Sequence, residues 1–178
     1  MKDKSFYQDA PDYCHSFFDL VSTSDLLSEL EKSCRYTHKL FEKIPAEKEN
    51  YSYQKGKWTI KEVIQHIIDC ERIYTYRALR FSRFDSTELA GFDQEKFIQN
   101  YKNSLSDFSD LKEEYTIVRK STLALYQSMT EEMLNFKGKA NQATFTAKTL
   151  GFMVVGHNLH HCYFIEKMYL NSGDSSFL

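Results

Sequence analysis

Residues 156–161 read GHNLHH and residues 58–72 read WTIKEVIQHIIDCER, and the reading of these two stretches decides the fold. Side chains four apart in an α-helix stack on one face, so His157 and His161 present two imidazoles to a single point. His66, on a second helix, is placed to supply a third. A lone histidine is more often a hydrogen-bonded core residue or a solvated one. An i,i+4 pair behind a run as apolar as TLGFMVVG calls for another reason, and metal binding is the commonest.

The whole chain bounds what such a site is for. At 178 residues it is expected to form one domain, 1–178, with 1–22 as an aromatic N-terminal arm. That length buries a core without disulfides or structural metal, so a metal here serves chemistry more than folding. A net charge of -2 and a pI near 6.3 give no broad basic field, and nucleic acid is not an expected partner. The four cysteines, Cys14, Cys34, Cys70 and Cys162, form no CxxC pair, which points to a reduced, intracellular protein. The polar start and the lack of a long apolar run argue against a secretory signal and a membrane span, so a cytoplasmic location is expected.

Periodicity gives an all-α reading. A first helix starts near Ser24 or Asp25 and stops before Pro45. The second runs from about Thr59 to Phe81, and Thr59 to Glu62 has the form of a capping box. Residues 82–103 make a long connection, with Gly91 at a turn and Asp93 capping a short helix. A third helix spans about Ser104 to Met129 with an ordinary apolar face. Thr130 caps the short piece EEMLNF, KGKANQAT is a polar loop, and a fourth helix begins near Thr146 and stops by Asn171 and Gly173.

The second helix has an unusual inner face. At about 100° per residue, Glu62, Asp69, Cys70, Ile73, Arg77 and Arg80 all fall within roughly 60° of His66. Glu62 and Asp69 are candidates to hold an imidazole N–H or act as general base, against capping and solvation. Arg77 is a candidate to grip a substrate carboxylate, against pairing within the bundle. Cys70 reads as a small buried filler rather than a nucleophile or fourth ligand.

The strings KGKWTIKEVIQHIIDCERIYTYRALRF, GFDQEKF, VRKSTLALY and GHNLHH, in this order and at these separations, resemble the DinB/YfiT-like superfamily of metalloenzymes, in its bacterial DinB-like branch. The resemblance implies a left-handed four-helix bundle running up, down, down, up, with a long crossover between helices two and three. It puts a metal triad on His66, His157 and His161. His160, three residues from His157, is the alternative to His161, and the family spacing favours His161. Three neutral imidazoles leave positions open on a divalent ion such as zinc or nickel, as catalytic sites do. Such an ion activates water for hydrolysis or a thiol for transfer. Superfamily members include metal-dependent thiol S-transferases that use bacillithiol, mycothiol or glutathione. The expected function is a transferase or hydrolase acting on a small molecule, with a low-molecular-weight thiol as one candidate and a homodimer as the expected assembly. The alternative is a non-catalytic metal-binding bundle serving protein interaction or a stress response.

Overall fold

Four long helices carry the architecture, and the computed structural model describes residues 5–101 and 107–170. A short helix α1 (His15–Phe18) ends the N-terminal arm. The bundle helices are α2 (Leu26–Lys43), α3 (Ile60–Ser82), α5 (Phe108–Gln127) and α7 (Ala147–Ile165), with α4 (Gln94–Tyr101) and α6 (Glu131–Asn135) between them. Their starts follow the capping chemistry of the sequence. Asp25 accepts the Ser28 N–H, and Thr59 with Glu62 closes a reciprocal box at the head of α3. Thr146 caps α7 and Thr130 caps α6, while Asp93 accepts the Lys96 N–H at the start of α4.

Side-chain pairs fix the helix directions. Glu71 meets Arg119 and Thr75 meets Thr122, so α3 and α5 run parallel. Ser33 meets Arg119, His38 meets Thr116 and Phe41 meets Phe108, so α2 and α5 run antiparallel. Leu26 lies against Gly151, Thr37 against Asn158 and Lys43 against Glu166, so α2 and α7 are parallel. His66 faces His161 and Tyr74 faces His157, which makes α3 and α7 antiparallel. The course is therefore up, down, down, up, and α3 and α5, consecutive and parallel, need a long connection between them. Residues 83–93 supply its first part, and α4 continues it.

Several boundaries differ from the sequence reading. The third helix begins at Phe108 behind Asp107, while the expected start at Ser104 lies outside the described residues. The expected stop at Asn171 and Gly173 also lies outside them; α7 passes at Glu166 into a π-helical turn, Glu166–Leu170. Residues 137–144, expected as a polar loop, form most of a hairpin, β1 (Lys137–Ala140) against β2 (Ala143–Thr146). Its turn residues Asn141 and Gln142 have φ of 51° and 65°, the left-handed pair that a two-residue hairpin demands. Gly138 and Ala140 point inward and the lysines outward. With glycine and alanine on the buried side, the alternation carries too little hydropathy to read from sequence. Leu89 extends the hairpin by a parallel bridge to Ala140 and ties down the long connection.

α7 is apolar nearly all round and buried on nearly every side, as a central helix should be. The arm covers its first half, with Phe6 stacked on Phe152 at 4.0 Å between ring centres. Among the described residues no helix is long and apolar enough to cross a membrane.

Candidate metal centre

The head of α3 sets the position of His66. Glu62 Oε2 accepts the Thr59 N–H at 2.6 Å and Thr59 Oγ1 accepts the Glu62 N–H at 3.2 Å, which fixes the first turn. His66 follows one turn later, 3 % exposed. From α7, His157 and His161 reach the same point. The Nε2 atoms of His66 and His157 lie 3.0 Å apart, and those of His157 and His161 lie 3.1 Å apart. Ligand atoms of all three fall within 4.8 Å of one another.

This geometry is unusual for imidazoles left to themselves. Each neutral Nε2 carries either one proton or one in-plane lone pair. His157 Nε2 can satisfy one neighbour well and not both. An electron-pair acceptor between the rings would satisfy all three, and tetrahedral nitrogens about 2.0–2.1 Å from zinc stand roughly 3.3 Å apart, close to the spacing seen. The donors are also in the required charge state. Burial pushes His66 down to about 4. Burial, then the neighbouring His66 and His160, push His161 to about 3. His157 falls well below its ordinary value by burial and then by the other three imidazoles. All three are neutral at pH 7 and available as ligands.

His160 is exposed, its ring edge-on to Phe17, and it contributes no atom to the group. The ring of Trp58 lies 4.9 Å from that of His66, and Phe17 and Tyr74 flank His157 at 5.8 Å each. Cys70 Sγ packs 3.6 Å from His66 Nδ1 but is not in the convergent group; burial pushes its thiol to about 12, so it stays uncharged. His161 Nδ1 is buried without a hydrogen-bond partner among the described residues. Its orientation therefore rests on packing rather than on a second polar group.

The other candidates from sequence have different surroundings. Glu62 is buried in the capping box. Asp69 accepts from Gln65 Nε2 at 2.9 Å and borders a cavity of about 470 Å³ shared with Arg72, Phe97 and Glu114. Burial raises its pKa. Arg77 is 6 % exposed, donates to the Ala90 carbonyl at 2.9 Å and stacks near Phe92, anchoring the long connection to α3. Neither carboxylate has an atom in the histidine group.

Two features were not read from sequence. Arg119 is fully buried on the face of α5 expected to be ordinary core, and makes a two-pronged pair with Glu71 at 2.8 Å for each bond. A cleft of about 310 Å³ opens onto His161, walled by Tyr53, Trp58, Phe164 and Tyr169 with Lys57 and Glu95. The sequence signal for it was the clustering of aromatics on both sides of Trp58 and after His161, which pattern reading assigns to core.

The profile of the DinB superfamily matches residues 29–165 and so spans all four bundle helices. This chain belongs to the DinB superfamily. Its fold is similar to that of a Bacillus subtilis protein described as "YfiT from Bacillus subtilis is a probable metal-dependent hydrolase with an unusual four-helix bundle topology". The two superpose with a TM-score of 0.73 over 84 % of this chain and 87 % of that one, at 17 % sequence identity. No curated protein matches the chain in sequence. The DinB assignment and the helix directions agree on the same bundle.

Proposed function

We propose that this DinB protein is a metal-dependent hydrolase of a small molecule, with one zinc or nickel ion held by His66, His157 and His161. The observation that carries the reading is the convergence of three neutral Nε2 atoms from two antiparallel helices, two on buried rings and one, from His161, at the edge of a cleft. The described likeness to a probable metal-dependent hydrolase supports it at the level of fold. When bound, a three-imidazole divalent ion supplies Lewis acidity and activates water near neutral pH.

The chain's own residues do the rest. Two ligands on one turn of α7 and one on the capped head of α3 fix the donor geometry before any ion arrives, so little ordering is lost on binding. Glu62 acts through His66 by locking the helix start. Trp58, Phe17 and Tyr74 exclude water from two of the imidazoles, and only His161 faces an open cleft. A substrate therefore approaches from the His161 side. Thiol transfer is the second chemistry open to such a centre.

Elemental analysis of protein purified without an affinity tag tests the reading. Wild type should carry one divalent ion per chain and His157→Ala none, and wild type should hydrolyse a member of an ester and amide panel in a manner lost on chelation. Equal metal in both proteins would end the proposal.

A further inference from the structure

The cleft over His161 has walls that speak to its ligand. Four aromatic rings reach it from three segments: Tyr53 and Trp58 from the connection before α3, Phe164 from the last turn of α7, and Tyr169 from the π-helical turn. They brace one another. Tyr53 stands edge-to-face with Phe164 at 5.6 Å and with Tyr169 at 5.1 Å, and the Tyr169 hydroxyl donates to the Trp58 carbonyl at 2.7 Å. Val63 and His161 also line it, and among the described residues the charged groups in the wall are Lys57 and Glu95.

Three exclusions follow. The opposite charges of Lys57 and Glu95 offset, so the cleft has no net attraction for an ionic ligand. A cage for an organic cation would not keep an ammonium in its wall. A peptide-like thiol with several carboxylates and an amine would leave most of them without partners, at a cost for each desolvated group. Size narrows the choice again. A cavity of about 150 Å³ suffices for benzene. The roughly 310 Å³ here holds one ring with a short substituent and nothing as large as a peptide segment.

We propose that this cleft binds a small, neutral, ring-bearing molecule by its ring, with the substituent directed toward His161. For the reaction at that substituent, this rests on the hydrolase reading above; the ring-binding itself does not need a metal.

Trp58 is the chain's single tryptophan, so its fluorescence reports on this wall and on the neighbouring His66 ring. The probe is 4-nitrobenzyl alcohol, a neutral contact quencher, added to chelator-treated and to Zn²⁺-loaded full-length protein, since zinc leaves the Trp58 emission intact, with affinities checked by calorimetry. Saturable quenching is expected in both forms. Phe164→Leu, which keeps apolar volume and removes the ring, should weaken binding by roughly three- to tenfold. Tyr163→Leu, on the exposed side of the same turn, should leave it unchanged. The trimethylammonium analogue of the probe and glutathione should bind more weakly than the alcohol. Non-saturable quenching, equal affinity in Phe164→Leu, or tighter binding of the cation or the thiol would each overturn the inference. Zn²⁺ binding without probe binding sinks this inference and leaves the metal reading intact. Probe binding without Zn²⁺ binding does the reverse.

Discussion

The indole of Trp58 lies 4.9 Å from the imidazole of His66, centre to centre, with an angle of 52° between the planes. The chain's only tryptophan is thus a built-in reporter on the proposed ligand set. Nickel(II), an efficient quencher at contact range, should extinguish most of the emission with a sharp one-to-one endpoint. Zinc should compete without quenching. In His157→Ala the titration should be flat up to at least a hundredfold higher Ni²⁺, because two imidazoles alone hold the ion poorly. An unaltered titration in that variant would exclude His157 as a ligand.

Burial of three neutral histidines makes the stability of metal-free protein depend on pH. The unfolded chain protonates its histidines near 6.5, whereas the folded chain holds His66 down at about 4 and His161 at about 3. Below 6.5 the unfolded state binds more protons, so stability falls with pH until the folded groups titrate. The shift of His66 alone corresponds to about 3 kcal/mol lost between pH 6.5 and 4. Urea denaturation of chelator-treated protein at pH 7.0, 5.5 and 4.5 should show a steep decline. His66→Gln should decline less over the same range, and parallel curves for the two proteins would contradict the assignment.

The pair of Glu71 and Arg119 sits at the other face of α3, where Arg119 also donates to the Leu30 carbonyl at 2.9 Å and to Ser33 Oγ at 2.7 Å. Thr122 donates to the same carboxylate at 2.8 Å. Each guanidinium nitrogen has a partner, so the pair locks α2, α3 and α5 in register. Glu71→Ala would strand a buried guanidinium and should cost about 3–5 kcal/mol. The double variant Glu71→Leu with Arg119→Met should recover most of that loss, since apolar groups of similar volume replace both charges. Denaturation curves of the three proteins decide it; a double variant as weak as the single one would show that the pair specifies packing that leucine and methionine cannot reproduce. Metal content should be unchanged throughout.

What was legible in sequence and what was not has a physical pattern. Caps are local chemistry: Thr59 and Thr130 cap where the sequence places them, Asp25 rather than Ser24 caps the first bundle helix, and Thr146 caps the helix expected to begin near it. The pairing of His157 with His161 was legible from i,i+4 spacing in an apolar setting, whereas His66 was assigned to the same group by the resemblance of its surrounding string to the DinB family. The Glu71–Arg119 pair was not. Each partner alone looks like a solvated charge at the edge of an apolar stripe, and only the parallel packing of α3 and α5 brings them together. The hairpin was hidden because its inward residues are Gly138, covered by the Phe81 ring, and Ala140, bridged to Leu89, and neither carries much hydropathy of its own. The inward stripe on α3 mixed two sets. His66 does face α7, with Cys70 packed against its ring, while Asp69 turns toward α5 and Arg77 toward the Ala90 backbone, since a helix touched on several sides has no single inner face.

Gly156, directly before His157, should behave against the usual rule for glycine in a helix. Replacing an interior helical glycine by alanine ordinarily stabilises by up to about 1 kcal/mol. Here a Cβ would lie 2.6 Å from the Phe17 carbonyl carbon and closer still to its oxygen, and a backbone group cannot rotate out of the way as a side chain can. The close approach lets Phe17 cover His157, at 5.8 Å between rings. Gly156→Ala should therefore cost about 1–3 kcal/mol by overpacking, displace the arm and expose His157 to water. Gly151, five residues earlier, is the control: its Cβ would meet the side-chain ends of Leu26 at 2.6 Å and Tyr126 at 2.9 Å, which can shift. Gly151→Ala should lose less stability and leave the arm in place. Urea denaturation, limited proteolysis across residues 5–20 and Ni²⁺ titration of Trp58 read the three consequences separately. In Gly156→Ala all three should move together, with faster cleavage in the arm and weaker metal binding. A variant that is destabilised yet keeps arm protection and metal affinity would show that the contact of Phe17 with the Gly156 backbone does not seal the site.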